Sequence, residues 1–446
     1  MSEKKVVNRE HRAWYMYDFG NSAYAAVVLL AVYSAYFKGS VVGGAEGSRL
    51  WGVSVGIAML VTAVIAPILG AIADFSASKK KFLFIFSSVT WLFTALLFFV
   101  QEGDIFTGML FFILAEIGYR GGQVFYNSLL PEIAEPDEIG RVSGNGWAIG
   151  SAGGILALFI LLPPIVLIKG SDLPVRLAFP FTALFFMLAT IPAYRWIKER
   201  ANAQSLPAGE NYFGIGFKRL ARTLKSVRQF TEFVKFMIAF LIYNDGILMA
   251  LNFAAIIGAV LHGMNQTQMI IFMIIVQFTS VAGAYIFAVI GDKFGYKKSL
   301  IYSLLGMIAA VVWMIFSTTI VDFFIIGALA GFALTGVQSL SRTMVGMFSP
   351  KGQSAEFFGF FSVVGRTSSF IGPTVYGFLA LWAARWFERT QGMGTLLAEQ
   401  NGQRVAIMSI IVFLLIGLVL LLRVNEQKAV EEADAYSIEN GNGVGA

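Results

Sequence analysis

Apolar runs alternate with short polar stretches along this chain, and twelve of the runs reach roughly the 20 residues needed to cross a hydrocarbon core of about 30 Å. They fall near residues 14–37, 51–73, 82–100, 106–129, 143–168, 177–195, 233–260, 266–290, 299–317, 321–347, 356–384 and 405–422. The pattern predicts an all-α membrane protein of twelve transmembrane helices. Its longest polar stretch, 196–232, divides the chain near the middle, which predicts a six-helix bundle over 1–195 and a second over 233–422. Residues 423–446 are polar, acidic and Gly-rich. Such a segment buries too little apolar surface to order itself, so a disordered tail is expected there. Within the linker, Phe213, Phe217, Leu220, Leu224 and Val227 recur at spacings of four and three, with Lys218, Arg219, Arg222 and Lys225 on other faces. This stretch is expected to be an amphipathic helix lying on anionic lipid. A solvated linker helix is the alternative.

Composition sharpens the reading. Hydrophobic residues make up 57% of the 446 positions and charged residues 13%, about half the share usual in soluble domains. The 46 glycines suit helices that approach one another closely in lipid. There is no cysteine, which excludes disulfides, thiolate metal sites and cysteine nucleophiles. A formal charge of +6 could suggest nucleic acid, but the basic residues lie in the gaps between apolar runs, where they report topology. Lys and Arg number 23 on the side of the N-terminus. The other side carries 7, namely Lys38, Arg49, Lys169, Arg176, Arg385, Arg389 and Arg404. Both termini are therefore expected in the cytoplasm. The first run follows Lys4, Lys5, Arg9 and Arg12, as a signal peptide would. It is too long for one, carries Asp18 and Asn21, and lacks a small-residue cleavage pattern behind it.

A repeat is the most informative feature. Gly70, Ala71, Ile72, Ala73 and Asp74 precede Lys79, Lys80 and Phe82, while Ala288, Val289, Ile290, Gly291 and Asp292 precede Lys297, Lys298 and Leu300, every member shifted by 218. Recurrence at half the chain length, at the same place in each half, indicates duplication. The loop resembles the signature of the major facilitator superfamily, with departures at Phe75, Ala77 and Ala288. Four further stretches narrow the resemblance: Tyr17 to Ser22, Phe125 to Ala134, Tyr243 to Gly246, and Pro350 to Gly352 leading to Glu356 and Gly359. Together they are similar to the branch that contains the fungal vacuolar amino-acid effluxers linked to autophagy and their bacterial relatives. The resemblance implies two pseudo-symmetric bundles, alternating access, helices one, four, seven and ten around a cavity, and amino-acid or similar efflux across a bacterial inner membrane.

Ionisable groups inside a bilayer are costly, so each is a functional candidate. In helix four, Glu116, Arg120, Gln123 and Asn127 are spaced four, three and four, which puts them on one face. Thr335, Gln338 and Arg342 repeat the idea in helix ten, as do Ser362, Arg366 and Ser369 in helix eleven. Glu116 and Arg120 either serve the solute or neutralise each other at i and i+4. Asp245 lies about 18 Å into helix seven at 1.5 Å per residue, where a proton carrier would sit, unless Arg366 is its permanent partner. Tyr243 and Asn252 share that helix. Asp18, beside Asn21, is either a site residue or a helix-terminal hydrogen-bonding group. Asp74, Arg141, Asp292 and Arg342 are expected to gate the terminus side, the resemblance implying a latch between helices; two carboxylates merely ending their spans is the simpler account. Gly146, Gly150, Gly153 and Gly154 in helix five suit close packing and resemble the superfamily's antiporter signature, with Ser151 in place of its proline. Tyr17, Tyr24, Tyr126, Trp147 and Tyr243 could shape a site, and Gly372 and Pro373 a bend.

The expected function is secondary active transport of a small polar solute, zwitterionic in charge, coupled to a proton or another ion, by a monomer in the lipid bilayer. No cofactor, metal or nucleic acid is expected. A ligand-binding sensor or scaffold, and a lipid or drug exporter of the same fold, are the alternatives. An enzyme is disfavoured because His11 and His262 are the only histidines and no nucleophile constellation is visible.

Overall fold

The computed structural model describes residues 3–75, 78–134, 139–168, 171–200, 206, 209–350, 354–367 and 370–441. The first span is compound: α1 (Glu3–Tyr24), a π-helical stretch (Ala25–Ala31), α2 (Tyr33–Tyr36) and a second π-helical stretch (Phe37–Val42). The N-terminal half continues with α3 (Gly44–Phe75), α4 (Lys79–Leu96), α5 (Ile105–Ser128), the short α6 (Leu130–Ile133), α7 (Ile139–Leu167) and α8 (Leu173–Trp196). The linker forms α9 (Tyr212–Val227). The C-terminal half holds α10 (Thr231–His262), α11 (Gln266–Phe294), α12 (Tyr296–Phe316), α13 (Ile320–Met347), α14 (Ser354–Thr367), α15 (Ile371–Gln391) and α16 (Thr395–Leu422), followed by α17 (Glu426–Gly441). Among the described residues, eleven helices are long and apolar enough to cross a membrane. The run near 356–384, expected as one helix, is shared between α14 and α15.

Helices dominate because a backbone in lipid must satisfy its own polar groups. Their ends are marked locally. Asn265 accepts from Gln268 N in a capping box that starts α11, and Thr319 does the same with Asp322 N for α13. Gly263 and Gly392, at φ +62°, close α10 and α15 in the left-handed region that glycine adopts freely. Large apolar side chains such as Phe106, Phe278, Phe316 and Val321 stay exposed on the spans, as a lipid-facing surface requires.

Within the N-terminal half, α1 packs into α7 so closely that a Cβ at Gly153 would collide with the Phe19 carbonyl. The two halves interlock on the side opposite the termini. There, a Cβ at Gly52 of α3 would run into the Pro373 carbonyl of α15. Trp51 Nε1 donates to Asn252 O at 2.9 Å, Gln403 Nε2 donates to Ser48 Oγ at 2.7 Å, and Gln266 Nε2 donates to Val32 O at 3.3 Å. Lys38, at the end of the first span, forms an ion pair with Glu399 of α16 at 2.5 Å, with side chains only 10% and 8% exposed.

On the terminus side, α9 docks beneath α3 through Ile215, which is buried together with Ala71 against Tyr212 and Leu206. Phe213 and Phe217 face outward and pack on each other at 4.8 Å. The tail departs from its expected disorder. Residues 426–441 are helical because Val424, Ala429 and Ala433 are buried and Asn425 N donates to Glu232 Oε2 at 2.7 Å. Three small apolar residues at near-helical spacing, too few to shift the segment's polar composition, anchor it.

Candidate transport site

The face predicted on α5 is formed. Glu116 is fully buried, and Arg120 Nε donates to its Oε1 at 2.8 Å. Tyr24 Oη, the last residue of α1, donates to the other carboxylate oxygen at 3.0 Å. Tyr24 also stacks on Tyr119 at 4.7 Å, and the Arg120 guanidinium sits 5.3 Å from the Tyr119 ring centre. Both oxygens of Glu116 are thus engaged, while Arg120 keeps 22% of its side chain exposed. Gln123 is half-buried and Asn127 exposed, so access along this face increases toward the terminus side. The same trend runs along α13, where Thr335 is buried, Gln338 half-buried and Arg342 exposed. Exposure thus rises toward the terminus side on both helices, while the opposite side is closed by the contacts between the halves.

Asp18 lies well inside α1, which begins eleven residues before the predicted span, so it is not a helix-terminal group. Its carboxylate rests against α7, where a Cβ at Gly150 would run into it. Asn21 Nδ2 donates to Asp18 Oδ1 at 3.5 Å, and Asn21 Oδ1 is buried with no hydrogen-bond partner among the described residues. Next to it, Trp14 stacks on Tyr126 at 4.3 Å and Tyr17 stacks on Tyr126 at 4.8 Å. The Tyr126 hydroxyl is also buried and unpartnered among the described residues. Tyr17 and Tyr194 both reach Ser87 Oγ at 2.9 Å, a structural clamp. Trp147 is 46% exposed and takes no part in it.

In the other half, Asp245 is 1% exposed and accepts from Gly372 N at 3.2 Å. It lies fourteen residues into the 32-residue α10, about 21 Å along the axis. Neighbouring Asn244 accepts from Gln338 Nε2 at 3.2 Å and donates to Gly365 O at 3.4 Å, tying α10 to α13 and α14. Tyr243 hydrogen-bonds with Ser341 Oγ at 2.7 Å and is a packing residue, fully buried against Gly417. Asn252 lends its carbonyl to Trp51, and its Nδ2 is unpartnered among the described residues. Asp74, Arg141, Asp292 and Arg366 have side chains outside the described residues. Among the described residues, no hydrogen bond or ion pair joins the Glu116 and Arg120 pair to Asp245.

Sequence reasoning passed over the seal. Lys38 counted only as a loop charge, and Glu399, Gln403 and Ser48 were not singled out. Glu399 and Gln403, one turn apart at the start of an apolar run, were the available signal. Gln277 of α11 was also missed; a Cβ at Gly154 would lie 3.3 Å from its Nε2, so it reaches across to α7.

Comparison with known proteins adds the family context. The family described as "Vacuole effluxer Atg22 like" matches residues 51–434. The Bacillus subtilis "Uncharacterized MFS-type transporter YxiO" is 27% identical over 438 residues, covering 96% of this chain and 97% of that one. "Autophagy-related protein 22-1" of Penicillium rubens is 25% identical over 266 residues, covering 53% of this chain and 44% of that protein, so the chain spans less than half of this fungal relative. Among solved structures, a bacterial homologue of the human lysosomal transporter Spinster, in an inward-facing and unoccupied conformation, superposes with a TM-score of 0.71 at 14% identity, covering 97% of this chain and 99% of that one. A point mutant of the nucleoside transporter NupG gives 0.69 at 12% identity, covering 93% and 99%.

Proposed function

The chain belongs to the Atg22-like vacuole effluxer family and is a multi-pass membrane transporter of the major facilitator type, not an enzyme, and from that premise we propose that it exports a small zwitterionic solute of the amino-acid class in exchange for protons. The observation that carries this reading is the division of labour between two buried carboxylates. Glu116 has both oxygens engaged, by Arg120 and Tyr24, whereas Asp245 holds a single backbone N–H. Glu116 therefore has no oxygen left for a further partner, whereas Asp245 has. Asp245 is then the coupling residue and Arg120, whose side chain keeps 22% exposure while Glu116 has none, the anchor for a solute carboxylate. The solute enters from the terminus side, where α5 and α13 become more exposed, taken as cytoplasmic in a bacterial inner membrane.

Energetics favour coupling. One charge moving through the membrane potential is worth about 2.3 kcal/mol per 100 mV, which sustains roughly a fifty-fold solute gradient. Liposomes reconstituted with the protein and a panel of labelled amino acids test the proposal. Asp245→Asn should abolish accumulation driven by a proton gradient and leave solute counterflow intact, while Arg120→Gln should lose both. Full gradient-driven accumulation by Asp245→Asn overturns the coupling role, and absence of flux for every amino acid overturns the solute class.

A further inference from the structure

A cavity of about 500 Å³ opens on the sealed side between the start of α3 and the end of α15. Its lining shares no residue with the groups assigned above. Its walls bring together Arg49, Arg385 and Arg389 with Glu46 as the acidic residue, beside the rings of Trp382 and Trp386. Three of the seven basic residues expected on this sparsely charged side therefore converge on one opening.

Charge within the cavity is not balanced. Glu46 Oε1 accepts from Arg49 Nε at 2.9 Å, and its other oxygen lies 3.5 Å from Arg385 Nη2. One carboxylate is thus shared by two guanidiniums. Arg389 has no hydrogen bond or ion pair among the described residues, and the set carries an excess of two positive charges. Beside the arginines, Trp382 is 63% and Trp386 44% exposed, four residues apart, so they form an aromatic stripe alongside Arg385 and Arg389 on the same helix. Exposed tryptophans near the end of a membrane helix sit at the level of lipid headgroups. α15 ends five residues beyond Trp386, at Gln391.

We propose that this cavity binds the headgroup of an anionic phospholipid of the leaflet opposite the termini, with the phosphate on Arg385 and Arg389 and the acyl chains along the tryptophan stripe. A soluble anion would need the arginines but not a lipid-facing aromatic wall, and the stripe decides for the lipid. The site bridges the halves, since Arg49 is on α3 and Arg385 and Arg389 are on α15. A bound headgroup therefore holds the seam closed and favours the state open on the terminus side.

Native mass spectrometry of the full chain from nanodiscs of phosphatidylcholine mixed with phosphatidylglycerol tests this. Retained lipid should be enriched in phosphatidylglycerol. Each guanidinium near an anionic surface is worth about 1 kcal/mol, or roughly fivefold. Arg389→Gln should thus lower the enrichment about fivefold, and Arg385→Gln with Arg389→Gln roughly twenty-five-fold, while the paired Lys substitutions retain most of it. Arg389→Gln breaks no ion pair, so its result stands even if the double variant fails to fold. Unchanged enrichment in Arg389→Gln overturns the proposal. So does displacement of phosphatidylglycerol by millimolar inorganic phosphate, which would mark the cavity as a site for soluble anions.

Discussion

Replacing Glu399 by Gln should open the sealed side. In the sealed state Lys38 and Glu399 are about nine-tenths buried and face each other across the two halves. When the halves part on that side, both side chains meet water. Glu399→Gln leaves the Lys38 ammonium buried and unpaired in the sealed state alone, so the whole penalty falls on that state. Breaking a buried pair by removing one partner costs about 3–5 kcal/mol. The residual exposure argues for the lower end, about 3 kcal/mol, which changes the ratio of sealed to open molecules roughly 150-fold. A parent with about one open molecule in a hundred would become about 60% open. The chain has no cysteine, so Glu102→Cys and Leu396→Cys on the two halves accept spin labels without background. Pulsed dipolar spectroscopy should then show a longer distance gaining population in Glu399→Gln. Adding Lys38→Met should restore most of the parent distribution, because no uncompensated charge remains. An unchanged distribution in Glu399→Gln would refute the argument that this pair holds the seal.

Two glycines separate seam from scaffold. Gly52→Ala places a Cβ against the Pro373 carbonyl across the halves, so an overpacking cost of about 1–3 kcal/mol should raise the open population seen by the same labels. Gly153→Ala meets the Phe19 carbonyl within one half and should lower the unfolding temperature in detergent without moving the label distances. Glu116→Gln strands Arg120 and should cost about 3 kcal/mol in thermal unfolding, Glu116→Gln with Arg120→Gln should recover part of that, and Tyr24→Phe should cost only about 1 kcal/mol. Equal losses for all three would show that the pair is not the dominant interaction there.

Much of this architecture was legible because membrane helices announce themselves by length and apolarity. Eleven of the twelve runs and the linker helix follow from that pattern, whereas the run near 356–384 is divided between α14 and α15. The pairing of Glu116 with Arg120 was also readable, since residues four apart on a helix are neighbours. The partnership of Lys38 with Glu399 was not, because it joins the first span to the last and no local spacing encodes it. Nor was the break in the first span: Ala25–Ala31 reads as seven ordinary apolar residues, and nothing in that run marks a wide turn. The tail misled for a related reason. Its composition is that of a disordered segment, and its order comes from tertiary contacts such as the acceptor at Glu232, the Phe230 ring against Tyr436 and the burial of Ala429 and Ala433.

The wide turns of the first span give it spare length. Tyr24, which holds Glu116, ends the regular helix just before them, and Lys38, which holds Glu399, lies within the second wide stretch. Tightening one such turn to α-helical pitch rotates everything beyond it by about 100° per residue taken up. Loss of the Tyr24 contact on solute binding can thus be transmitted as a twist that swings Lys38 off its partner, with no helix unfolding. Deleting Ala26 should lock that twist in one phase, and label distances identical to the parent would rule it out. In mechanical terms, such a span would act as a torsion shaft between the level of Tyr24 and the far rim.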